Sequence, residues 1–132
     1  MRDTHDACHI AIPARDLDEA MDFYVFGLGA KLARRYADRI TLDFFGDQLV
    51  CHLCADVPAE PVAYPRHFGV SFAKAEDFDR LLRLIEYRKL RVLSGPELRF
   101  EGTAEQHQTL FLADPSNNVL EFKNYDDPRL QY

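Results

Sequence analysis

The spacing of apolar residues changes along the chain and marks out its elements. Cys8-His9-Ile10-Ala11-Ile12-Pro13 reads as a short strand. Asp16 then precedes Leu17, with Glu19 three residues on, the pattern of a capping box at a helix start. Leu17, Ala20, Met21, Tyr24 and Leu28 recur at helical spacing and leave Asp18, Glu19 and Asp22 for solvent. Gly27 and Gly29 supply the left-handed conformations that end helices. Strands are expected at Lys31 to Tyr36, Arg39 to Phe45 and Gln48 to Cys54, with a tight turn at Gly46-Asp47.

The order then repeats. Arg66 to Phe72 reads as a strand, and Phe78, Leu81, Leu82 and Ile85 form one apolar helix face. Short extended runs follow at Arg91 to Ser94 and Leu98 to Phe100, separated by a break at Gly95-Pro96. Gln108 to Leu112 is extended, Asp114-Pro115-Ser116-Asn117 turns, and Asn118 to Asn124 is the last strand. Each half is β-α-β-β-β, and His9 and His67 open the two copies at a period of about 58 residues. Three prolines in Asp56–Pro65 exclude a long helix and a central strand, so this segment is the expected linker. The expectation is one α+β domain over 1–132: module one about 7–55, linker 56–65, module two about 66–125 and a tail at 126–132. A duplicated module of this kind suits two halves paired into one curved mixed sheet with helices outside.

Composition narrows the function. The chain has 132 residues, the size of one ordinary domain, and 47% of them are hydrophobic. Sixteen Lys and Arg against 22 Asp and Glu give a net charge of −6, which repels phosphate backbones and excludes nucleic acid as a partner. No apolar run approaches the ~20 residues that span a bilayer, so no membrane partner is expected. The first residues read without a signal peptide, and three cysteines point to a reducing cytoplasm.

His9, His67 and Glu121 lie in predicted strands at similar places in their halves. Two imidazoles and a carboxylate are the set that binds a divalent metal and leaves positions open for substrate. The opposing reading is that each is a hydrogen-bonded structural group. His52, in the last strand of module one, is a fourth candidate and the rough counterpart of Glu121. In Cys51-His52-Leu53-Cys54 the two cysteines stand three apart in a strand and face opposite ways, so they read as small buried thiols rather than a redox pair. His5 belongs to the lead-in and His107 to a polar loop. Arg99 is the cation to watch as a binder of a substrate carboxylate.

These segments carry a resemblance. His9 to Pro13 with Asp16-Leu17 and Phe23-Tyr24, Arg66 to Val70, and Phe111 to Phe122 with its Asp-Pro turn resemble the vicinal oxygen chelate superfamily, the glyoxalase, bleomycin-resistance and extradiol-dioxygenase group. The resemblance covers Cys8 to Tyr125. It implies two βαβββ modules forming a cup, usually in a homodimer, and a divalent metal (Fe, Mn, Ni or Zn) that chelates two neighbouring oxygens of a small substrate. Carried over by position, the ligands are His9, His67 and Glu121, with His52 at the place of an additional ligand in some members. Asn117 replaces the usual glycine of the closing turn, and Asn tolerates the left-handed conformation needed there. The implied activity is a metal-dependent isomerase, lyase or ring-cleaving dioxygenase, with Glu121 or His52 as the base where one is required. The alternative is a metal-free binding or resistance protein that holds an apolar ligand in the cup.

Overall fold

The structure is a computed structural model that describes residues 3–132; Met1 and Arg2, at the head of the expected domain, lie outside the described residues. Module one runs β1 (His9–Ala14), α1 (Leu17–Met21) continued by a π-helical turn (Asp22–Gly27), β2 (Lys31–Arg35), β3 (Arg39–Phe44) and β4 (Asp47–Leu53). Module two runs β5 (Phe68–Phe72), α2 (Ala75–Arg88), β6 (Val92–Arg99), β7 (His107–Ala113) and β8 (Val119–Tyr125), followed by a 3-10 turn (Pro128–Gln131). The strands divide between two four-stranded sheets, in the orders β1-β4-β3-β2 and β5-β8-β7-β6. In both, the first strand lies parallel to the last and the remaining pairs are antiparallel. Thus the duplicated βαβββ plan is the fold, and within the chain the two halves keep separate sheets.

Local chemistry explains the elements. The Asp16 carboxylate caps α1 by accepting from the backbone N–H groups of Asp18 and Glu19 at 2.7 and 3.0 Å. Glu19 does not close the expected capping box; it pairs with the Arg15 guanidinium at 2.7 Å instead. Past Met21 the helix widens into the π-helical turn, which turns Phe23 and Tyr24 into the core. Pro13 and Pro96 both sit in edge strands, where the missing N–H leaves no gap in a ladder.

Two expectations differ. Gly95-Pro96 does not break the chain: β6 passes through it, slipping register on either side of Ser94. Gly95 has φ 87°, and a side chain there would meet the Thr109 carbonyl of β7 at 2.5 Å, so only glycine lets the strand run on. His107 is not in the polar loop. It begins β7, 5% exposed, with Nδ1 donating to the Glu105 carbonyl at 2.7 Å and its ring 4.5 Å from that of Tyr125.

The apolar faces of both sheets meet in one core. Ile40, Leu42, Phe44, Leu49 and Cys51 of module one share it with Leu110, Leu112, Leu120 and Phe122 of module two and with Phe78, Leu81 and Ile85 of α2. Ring contacts of Phe44 with Phe68 and Phe122, and of Phe45 with Phe72, cross between the modules. Phe44 and Phe122 are fully buried, and burying each contributes roughly 1.5–3 kcal/mol. The Asp114–Asn118 turn adds polar ties: Tyr24 donates to Asp114 at 2.8 Å, Asn118 Nδ2 donates to the Pro13 carbonyl at 2.8 Å, and the Arg15 N–H donates to Ser116 Oγ at 2.9 Å. Burial pushes the Asp114 carboxyl above the usual carboxylate range, although bonds from Asn118, Tyr24 and Ser116 oppose the shift. Asn117 takes φ 61°, the left-handed conformation that the closing turn requires. No helix among the described residues is long and apolar enough to cross a membrane.

Candidate metal centre

Strand alternation assigns every chemical group to a face. In β4, Leu49 and Cys51 enter the core, so Gln48, Val50 and His52 lie on the outer face. In β8, Leu120 and Phe122 enter the core, so Glu121 and Lys123 lie outside. The common core holds the inner faces together, and the two outer faces therefore look away from each other.

On the outer face of module two the expected ligands His67 and Glu121 meet. His67 directly precedes β5, and its Nε2 stands 3.0 Å from Glu121 Oε2. Its Nδ1 lies 2.6 Å from the Ala63 carbonyl, an acceptor only, so Nδ1 carries a hydrogen and donates. Nε2 then presents a lone pair to a carboxylate oxygen, two acceptors face to face unless a proton or a metal cation lies between them. The other oxygen, Oε1, accepts from the Thr109 hydroxyl at 2.7 Å. Lys123 Nζ stands 3.2 Å from Oε2. The carboxylate is only 9% exposed, and Gly69 opposite it admits the close approach of β5: a Cβ there would fall 1.7 Å from the Glu121 carbonyl oxygen. A nearly buried carboxylate whose Oε2 faces an imidazole nitrogen and the Lys123 ammonium, with the imidazole oriented by a backbone carbonyl, fits a divalent cation once Lys123 moves aside.

The other expected groups stand elsewhere. His9 begins β1 on the outer face of module one, where its Nδ1 bonds to Gln48 Oε1. Among the described residues no three His, Cys, Asp or Glu side chains gather within the chain. The ladders also revise the place given to His52. With His9 matched to His67, Ala11 matches Gly69 and Pro13 matches Ser71. Their partners are Val50 and Glu121, then His52 and Lys123. Val50 thus holds the position corresponding to Glu121. His52 lies one strand and four residues from His9, roughly 14 Å between backbones by strand geometry, too far for both to reach one ion. Arg99 ends edge strand β6, tied to Glu97 at 3.2 Å and two strands and four residues from Glu121, roughly 16 Å. Lys123 and Thr109 are the neighbours of Glu121 that sequence reasoning missed. Lys123 was within reach of it, since residues two apart in a strand share a face. Cys51 and Cys54 are free thiols; Cys51 is buried as expected, its thiol pushed up to about 12 by that burial, whereas Cys54 is only half-buried.

Two tandem βαβββ modules, each a four-stranded sheet led by a histidine, define the class: a duplicated α+β protein of the vicinal oxygen chelate fold. The chain belongs to the Glyoxalase/Bleomycin resistance protein/Dioxygenase superfamily, whose family profile matches residues 8–122. It is similar throughout to a glyoxalase/bleomycin resistance protein/dioxygenase from Alicyclobacillus acidocaldarius of known crystal structure, with 58% identity over 100% of both chains and a TM-score of 0.96. It is 24% identical over 123 residues to the glyoxalase domain-containing protein RDO1 of Mycosarcoma maydis, covering 92% of this chain and 69% of that protein. The fosfomycin resistance protein FosX of Listeria monocytogenes shares the fold at 14% identity, with 90% of this chain and 92% of that one covered and a TM-score of 0.71.

Proposed function

We propose that this protein is a divalent-metal-dependent enzyme acting on a small substrate that chelates through two neighbouring oxygens, and that it works as a homodimer. The observation that carries this reading is the His67–Glu121 pair, an imidazole nitrogen and a carboxylate oxygen 3.0 Å apart, the carboxylate almost buried. The third ligand is His9. Because the outer faces look apart within a chain, the set is completed when module one of one copy covers module two of another. A bound metal would supply Lewis acidity toward the chelated oxygens.

The chain's own residues do the rest. The Ala63 carbonyl holds the His67 ring in the tautomer that leaves Nε2 free. The Thr109 hydroxyl fixes the plane of the Glu121 carboxylate through Oε1 and leaves Oε2 for the cation. Glu121 is the candidate base for a proton-transfer reaction. His52, on the covered face but away from the ligand set, is a substrate-facing group in this reading, as is Arg99. The substrate is small and the compartment cytoplasmic.

A second reading draws on Lys123. Its ammonium already neutralises Glu121, so the cluster is electrostatically satisfied without metal, as a metal-free binding protein would require. Metal analysis of protein purified without chelator separates the two. About one divalent ion per chain is expected, with most of it lost in Glu121→Gln while the melting temperature stays near that of the metal-free parent. Full retention of metal in Glu121→Gln would sink the enzyme reading.

A further inference from the structure

Glu121 Oε2 has two nitrogen neighbours, of which the Lys123 ammonium is the cation. His67 Nε2 stands at 3.0 Å and Lys123 Nζ at 3.2 Å, whereas Oε1 is engaged by the neutral Thr109 hydroxyl. Any cation bound between His67 and Glu121 must use the oxygen that Lys123 holds. With His67 neutral, Glu121 and Lys123 cancel formally; a divalent ion added there leaves the cluster with an excess of two positive charges. The Lys123 side chain is 29% exposed, so it has room to turn off the carboxylate toward the open face. The face of module one that covers this site in the proposed dimer carries more basic than acidic groups. Lys31, Arg34 and Arg39 stand there beside Asp43 and Thr41, with Arg39 paired to Asp38 at 2.8 Å, while Arg35 is on the inner side with its ion pair to Asp18. This excess lies in a chain of net charge −6.

We propose that Lys123 serves as an internal counter-ion that yields Glu121 to the metal and then binds an anionic oxygen of the substrate. The metal is thereby held less tightly than its ligands alone would allow, and the substrate class narrows to anions, a carboxylate, phosphonate or enolised carbonyl adjoining the chelating oxygens. The inference rests on the metal-centre reading above and adds to it a residue and a charge requirement.

Manganese(II) affinity of the wild type, Lys123→Met and Lys123→Arg, measured by electron paramagnetic resonance titration, gives the first readout. Removing a competing cation should tighten binding in Lys123→Met by about fivefold or more, with Lys123→Arg close to wild type. The second readout is acetohydroxamate, a small chelator that binds metal as an anion through two adjacent oxygens, titrated into each manganese-loaded protein by calorimetry. Its affinity should fall about tenfold or more in Lys123→Met and recover in Lys123→Arg. Lys123 projects from the face opposite the core, so melting temperatures should stay close and report any loss of fold. Manganese binding that is unchanged or weaker in Lys123→Met, or equal acetohydroxamate affinity, overturns the role of Lys123 and leaves the metal centre standing. A folded wild type that binds no manganese removes the metal reading and this inference together.

Discussion

Single side chains in this protein are set apart by which face of a strand they occupy. Cys8 is exposed, Cys54 partly covered and Cys51 fully buried. The Cys51 thiol, pushed up to about 12, stays protonated in the folded chain at pH values where an unfolded thiol ionises. An aromatic disulfide reagent near neutral pH should therefore modify Cys8 at once and Cys51 only after denaturant is added. Equal rates at the two would mean that β4 is not packed as described. The same linkage has a sign: an acid whose folded pKa is raised stabilises below its unfolded pKa and loses that contribution as pH rises. For Cys51 the loss runs from 9.0, the unfolded value, to about 12. Gly69 belongs to this scale as well, since any side chain there collides with the Glu121 backbone and disturbs the candidate ligand directly.

Among the elements, the turn between β7 and β8 binds module one to module two. Asp114 accepts from Ser116 N–H, Asn118 N–H and Asn118 Nδ2 at 2.7–2.8 Å, and from Tyr24 across the module boundary. Replacing one oxygen by an amide in Asp114→Asn sets donor against donor at Asn118, and a loss of about 1–3 kcal/mol is expected. The pH dependence is a sharper check. The folded pKa of Asp114 is raised by burial, so its contribution is complete below the unfolded value of 3.8 and declines as pH rises through the folded one. Urea unfolding at several pH values should show the advantage of wild type over Asp114→Asn shrinking from acid toward neutral pH. An advantage that grows with pH would contradict the burial argument.

For the whole molecule, the decisive fact is that the outer faces of the two modules look apart. A candidate centre shared between chains makes a prediction that one built within a chain does not. His9→Ala and Glu121→Gln homodimers should each bind little metal. After unfolding and refolding together at equal amounts, random pairing restores about a quarter of the sites, because each mixed dimer combines one intact His9 with one intact His67–Glu121 pair. No recovery in a mixture shown to contain mixed dimers would rule out the shared centre.

The sequence by itself determined the elements and their repetition. Helical spacing in Leu17 to Leu28 and Phe78 to Ile85, the cap at Asp16 and the turn at Asp114–Asn117 are local signals that local backbone preference is enough to fix; the hairpin turn expected at Gly46-Asp47 falls one residue earlier, at Phe45-Gly46, with Asp47 already in β4. The sequence also set His9, His67 and Glu121 apart as strand positions, His9 and His67 because they open the two copies, and of these the chain itself brings together only His67 and Glu121. Local signals did not fix register. The partner of a β1 residue lies some 40 residues on in β4, and only the assembled ladder set Val50 rather than His52 at the place matching Glu121. Inter-module packing is likewise not written in either half. Burying the aromatic inner faces of both sheets in one core turned His9 away from His67 and left Lys123 over the carboxylate, an outcome of where two apolar surfaces fit each other and of no single segment.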